Sequence, residues 1–118
     1  MANYDGLPVY KASYDFLLQI FWVSKNFTRE YKYSIWQELK NETMALILDI
    51  YRANSSRDRR YILLENAREK LETIRLMLRL TKDLKQITLD EFVSLNEKIE
   101  NISKQLVGWQ RTSEKIWS

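Results

Sequence analysis

The sequence specifies an all-α protein, an up-down-up-down antiparallel four-helix bundle. Three observations lead there. The 118 residues contain only two glycines and one proline, so long helices with few turns follow and a turn-rich sheet protein does not. Apolar residues recur at helical spacing in four separate segments. The segments are joined by short stretches, roughly 26–32, 54–56 and 85–88, and short connections force consecutive helices to be antiparallel neighbours. The length supports one core, so the chain reads as a single domain over residues 1–118.

The first segment covers residues 9–25 and follows Pro8, which suits the first turn of a helix because its missing N–H has no intrahelical partner there. Two apolar seams run along it. One holds Tyr10, Tyr14, Leu17, Phe21 and Ser24; the other holds Phe16, Ile20, Val23 and Phe27. The second segment, residues 33–53, directs Ile35, Leu39, Thr43, Leu46 and Ile50 inward. The third begins near Ser55 or Ser56 and runs to about Gln86. Leu64, Ala67, Leu71, Ile74 and Leu78 form its heptad seam, and Leu76, Met77, Leu80, Leu84 and Ile87 add a second apolar sector. A helix apolar over so much of its circumference is buried on two sides. The fourth is marked at its start by Thr88 and Glu91, a capping box. Phe92, Leu95, Ile99, Ile102, Leu106, Trp109 and Ile116 then follow one seam, with Ser113 at the remaining position. Gly108 interrupts this helix, and the expectation is that it admits a close helix contact or makes room for Trp109. Trp109 itself reads as a packing residue.

The double seams on the first and third helices, with four Trp and seven Tyr, exceed what one small core needs. They point to a homo-oligomer or to stacking surfaces, with an aromatic-rich core as the alternative.

Composition removes several kinds of chemistry. The chain has no cysteine and no histidine, which excludes disulfides, thiolate catalysis and a histidine general base. No glycine-rich phosphate loop occurs. Glu38 with Glu42, and Glu65, Glu69 and Glu72, are acids one turn apart, but their spacing places them beside Lys and Arg on outward faces. The expectation is therefore a protein that is not an enzyme and has no cofactor or metal. Residues 1–8 show no basic-then-apolar signal, and the apolar window at 16–23 is too short to span a bilayer. A cytoplasmic protein without membrane partners is expected.

Positive charge is concentrated in one place. Residues 57–85 hold nine of the nineteen cations: Arg57, Arg59, Arg60, Arg68, Lys70, Arg75, Arg79, Lys82 and Lys85. Five acids dilute them to +4, against +3 for the whole chain. On a helix, Arg68, Arg75, Arg79 and Lys82 lie within roughly 60° of one another over about 21 Å. Such a row matches a phosphate backbone, which makes Arg57, Arg59, Arg60, Arg68, Arg75, Arg79, Lys82 and Lys85 the candidate nucleic-acid-binding residues. The competing reading is a solvated face, since Glu65–Arg68, Arg68–Glu72, Glu72–Arg75 and Arg79–Asp83 all have ion-pair spacing.

Several stretches carry a family resemblance: Leu7-Pro8-Val9-Tyr10-Lys11, Phe27-Thr28-Arg29-Glu30-Tyr31-Lys32-Tyr33-Ser34-Ile35, Tyr51-Arg52-Ala53-Asn54, Leu78-Arg79-Leu80-Thr81-Lys82-Asp83-Leu84-Lys85 and Val107-Gly108-Trp109. In this order they resemble the accessory variability determinant (Avd) family of diversity-generating retroelements. A wider similarity is to the four-helix-bundle proteins of ribosomal RNA intervening sequences. Thr28 stands where the family often has Pro, and Trp36 where it often has Gly. The resemblance implies a non-catalytic, basic four-helix bundle that forms a homopentamer. It also implies binding to RNA or DNA and to a reverse transcriptase, in support of mutagenic copying of a template repeat. The alternative from another class is a structural or protein-interaction bundle of the intervening-sequence superfamily with no nucleic-acid role.

Overall fold

The computed structural model describes the backbone of residues 7–117 and the side chains of residues 7–113. Helix α1 spans Pro8–Val23 and tightens into a 3-10 turn at Ser24–Asn26. A one-turn helix, α2, follows at Arg29–Lys32. The long helices α3 (Ile35–Ser55), α4 (Arg60–Asp83) and α5 (Leu89–Trp117) complete the chain. α1 and α4 occupy opposite corners of the bundle, each lying beside both α3 and α5. Cross-helix pairs show the direction of each neighbour. Arg68 meets Gln110, Arg75 meets Glu100 and Lys82 meets Phe92, so α5 recedes as α4 advances. Phe21 against Trp36 and Arg60 against Ala53 give the same sense to the other junctions. The result is the expected antiparallel four-helix bundle, 48 Å long and 21 Å across.

The core follows the apolar seams. Phe16, Ile20, Leu39, Leu46, Ile50, Leu64, Leu71, Ile74, Leu78, Leu95, Ile99 and Ile102 are all sealed from solvent. Ser13, Thr43, Thr81 and Ser113 also fall on the inward faces. Each hydroxyl donates to the carbonyl four residues earlier, so these four hydroxyls are satisfied within their own helices. Of the two seams on α1, the Phe16 seam is buried, whereas Tyr14 and Phe21 of the other remain about half exposed. On α4, Leu76 and Leu80 stay exposed while Ile87, past its end, is buried. The side chain of Ile116 lies outside the described residues.

The helix boundaries correct the sequence reading. α4 begins at Arg60 and not at Ser55 or Ser56, because α3 itself continues to Ser55. The chain then needs residues 56–59 to reverse, and Arg59 takes the N-cap position. The end of α4 is a Schellman motif. The amide of Gln86 donates to the carbonyl of Thr81, that of Lys85 donates to Lys82, and Lys85 adopts a left-handed φ of 61°. The helix therefore stops at Asp83, three residues earlier than expected. The capping box of α5 forms as read: the Thr88 amide donates to Glu91 Oε1 at 2.8 Å and the Glu91 amide to Thr88 Oγ1 at 3.1 Å.

Gly108 also differs from expectation. Among the described residues, a Cβ built on it would meet nothing within 4 Å, so it makes room for no contact with them. Gly108→Ala should raise unfolding free energy by about 0.5–1 kcal/mol, the usual cost of an interior helical glycine. Urea denaturation at a concentration where the protein is monomeric would test this; a loss of stability would overturn it.

One ion pair is sunk between α3 and α4. Lys70 Nζ lies 2.7 Å from Asp49 Oδ2, with only 7% of the Asp49 side chain and 28% of the Lys70 side chain exposed. Removing the lysine strands a buried carboxylate, whereas removing both charges does not. Lys70→Met should cost about 2 kcal/mol, and the Asp49→Leu/Lys70→Met double variant should recover most of that loss. The comparison is again by urea unfolding.

Candidate nucleic-acid interface

The cations of 57–85 separate into two groups once their partners are known. Arg60 is a structural residue of the α3–α4 reversal. Its Nε donates to the Ala53 carbonyl at 2.8 Å and its Nη2 to the Asn54 carbonyl at 3.3 Å, satisfying carbonyls that end α3. The same guanidinium lies 5.6 Å from the ring centroid of Trp109, which packs half-buried against the core. Arg68 donates to Gln110 Oε1 at 2.6 Å, and Gln110 Nε2 in turn donates to Glu65 at 3.1 Å. Arg75 is clamped between Glu72 on its own helix and Glu100 on α5. Burial would lower its pKa, but the hydrogen bonds to Glu100 and Glu72 and their charges outweigh that, so the guanidinium is raised above its ordinary value.

The second group is freer. Arg57 and Arg59 stand exposed in the turn before α4. Arg79 is 75% exposed, with Asp83 a loose 3.9 Å away. Lys82 sits 3.6 Å from the same carboxylate and 4.8 Å from the centroid of Phe92. Lys85 is exposed in its left-handed position, where glycine would be the unstrained choice. The candidate residues thus line the α4 side that borders α5, but those in the middle of the row engage neighbours. The open cations lie towards the ends, on a helix about 36 Å long.

Three of the four expected intrahelical pairs are present: Glu65–Arg68, Glu72–Arg75 and Arg79–Asp83. The acids Glu65, Glu69 and Glu72 border an open groove with Arg68 and Ser103. Among the described residues, no group of three or more acids is placed to hold a metal ion. Among them, too, no helix is long and apolar enough to cross a membrane.

Sequence reasoning missed a further set of cations on the other side of the bundle. Lys25 Nζ lies 4.1 Å from the ring centroid of Trp22, and Lys40 Nζ lies 5.0 Å from that of Trp36. The signal was visible as a concentration: residues 21–40 hold six aromatic rings and four cations.

The fold and its surfaces define a small four-helix bundle that carries exposed cations and aromatic rings. Its lineage is equally definite. The chain belongs to the bAvd-like family, whose model matches residues 9–113. Membership brings with it an accessory role in diversity-generating retroelements. Comparison with curated proteins gives no match.

The two groups of cations should behave differently on substitution. Arg75→Ala should lower unfolding free energy by about 1–2 kcal/mol, because it releases two carboxylates and a tie between helices. Arg79→Ala should change it by less than about 0.5 kcal/mol. Equal effects in denaturant titrations would contradict this division.

Proposed function

We propose that this protein is a non-catalytic accessory subunit of a diversity-generating retroelement, which binds nucleic acid and the element's reverse transcriptase during mutagenic copying. Family membership across residues 9–113 is the observation that carries the proposal. Arg57, Arg59, Arg79, Lys82 and Lys85 are its charged contacts. Arg60, Arg68 and Arg75 hold the helices that present them. The working form is a homopentamer in the cytoplasm. Self-association is supported by apolar side chains that the single bundle leaves exposed: Tyr14, Leu18 and Phe21 on α1, Met44, Leu48 and Tyr51 on α3, and Leu76 and Leu80 on α4.

A second reading has a specific observation in its favour. The ion pairs along α4 suit a purely structural helix, and with it a bundle that binds only other proteins.

Salt dependence separates the two. The logarithm of affinity for nucleic acid should fall linearly with the logarithm of salt concentration. Arg79→Gln combined with Lys85→Gly should reduce that slope by about 2. The second substitution also relieves the left-handed φ, so folding is protected. Co-elution with the reverse transcriptase, and sedimentation equilibrium at about five times the 14.3 kDa chain mass, are the companion expectations. Absence of salt-dependent binding would favour the structural reading, and a monomer at micromolar concentration would remove the pentamer.

A further inference from the structure

The end of the bundle where α1 meets α3 carries aromatic rings and cations, and three of the rings, Phe21, Trp22 and Tyr33, stay exposed while Phe27, Tyr31 and Trp36 lie in or against the core. Residues 21–40 supply Phe21, Trp22, Phe27, Tyr31, Tyr33 and Trp36, six of the fifteen aromatic residues in the chain. Phe27 is buried and anchors the segment. Trp22 and Tyr33 are 65% and 75% exposed. Phe21 bridges the helices, its ring edge-on to Trp36 at 5.3 Å between centroids. The Trp36 indole is fixed by its Nε1–H, which donates to the Ile20 carbonyl at 3.4 Å.

Four cations share this segment, Lys25, Arg29, Lys32 and Lys40, against two acids, Glu30 and Glu38. Their pairing differs from that along α4. Arg68, Arg75, Arg79 and Lys82 each have a carboxylate within 4 Å. Among the described residues, Lys25 and Lys40 meet an indole and no carboxylate. An exposed cation–π contact is weak and yields readily to a phosphate.

The surface is also continuous with the open end of α4. Gln86, two residues past the α4 C-cap, accepts a hydrogen bond at 2.8 Å from the amide of Thr28, between the 3-10 turn and α2. Gln86 is nearly buried and its own amide group donates to the Leu84 carbonyl, so the clamp has a fixed geometry. It holds the turn bearing Lys85 against the segment bearing Arg29 and Lys32. Cations and open rings are therefore gathered at one end of the molecule.

We infer that this end is a single-stranded nucleic-acid site, in which bases stack on Trp22 and Tyr33 while Lys25, Lys40 and Lys85 take the phosphates. The inference rests on the proposed nucleic-acid function and names the surface and strand state for it. Exposed rings next to cations suit a single strand, because its bases are free to stack on protein. A duplex keeps its bases stacked inside and would engage the cations alone.

The test uses a fluorescein-labelled oligothymidylate of about twelve nucleotides, within the range that small single-strand sites cover, and a duplex of the same length. Trp22→Ala/Tyr33→Ala should weaken oligothymidylate binding by about tenfold and duplex binding by less than about twofold. Trp22→Phe should retain most of the affinity, since a ring remains. Thermal unfolding of these variants should be unchanged, as both rings are exposed. Equal loss on single strand and duplex, or no loss on either, would overturn the site while leaving binding through the α4 cations intact. If the unmodified protein binds neither probe, the nucleic-acid reading itself fails. If the double alanine variant loses self-association and keeps its affinity for oligothymidylate, the surface is occupied by a second copy of the chain and the inference is wrong.

Discussion

Helix α4 is tied to both of its neighbours by its own cations, and the rest of the bundle depends on those ties. Lys70 reaches across to Asp49 on α3. Arg60 closes the end of that same helix through the Ala53 and Asn54 carbonyls. On the other side Arg68 holds Gln110 and Arg75 holds Glu100. The apolar seam supplies most of the free energy of association, but leucine and isoleucine contacts are not directional and tolerate small slips along the helix axis. The polar ties are directional, and those with a buried member are costly to break. They fix the axial positions of α3 and α5 against α4.

That arrangement changes what positive charge means in this chain. Residues 57–85 carry a formal +4, which on its face suggests a continuous cationic stripe. In the folded molecule the central members of the stripe are already engaged. A guanidinium that donates to both Glu72 and Glu100 has little left for a phosphate. The charge available to a polyanion is what remains after folding, and it lies at the extremities: Arg57 and Arg59 at one end of α4, Arg79 and Lys85 at the other. A modest net charge of +3 is compatible with a binding role under these conditions, since the open cations are local.

The sequence made the core legible because burial imposes a period. Leu64, Ala67, Leu71, Ile74 and Leu78 recur at three and four residues, and all are buried. The capping box at Thr88 was equally readable, since both partners lie within one turn. What escaped were interactions between residues far apart in the chain. Nothing local announces that Arg60 will cap α3, or that Gln86 will accept from the Thr28 amide 58 positions earlier. Lys85 hid the end of α4 for a related reason: a lysine occupies the left-handed position where glycine is the usual marker. Gly108 misled in the opposite way, as a small residue that suggested a close approach where the described residues leave open space. The candidate cations were found by type and spacing, but which of them are open depends on α5, whose register the sequence does not state.

The exposed aromatic residues follow the same logic. A helix that must only complete a four-helix core needs one apolar face, and α1 supplies that face with Val9, Phe16, Ile20 and Val23. Tyr14, Leu18, Phe21 and Trp22 lie outside it. Leaving such groups in water forgoes the free energy their burial would release, so they are the groups that the proposed assembly would cover. Lysine distinguishes among them. Beside Tyr14 the cation Lys11 is already matched by Asp15, 3.2 Å away, so this surface suits another protein. At Trp22 and Trp36 each indole carries an ammonium group, and burying that pair against an apolar partner would require desolvating a cation with no carboxylate beside it. An anionic partner removes that cost, because phosphate neutralises the ammonium as the base covers the ring. The two faces of α1 are therefore chemically suited to different partners, and one helix can serve self-association along its length and strand binding at its end.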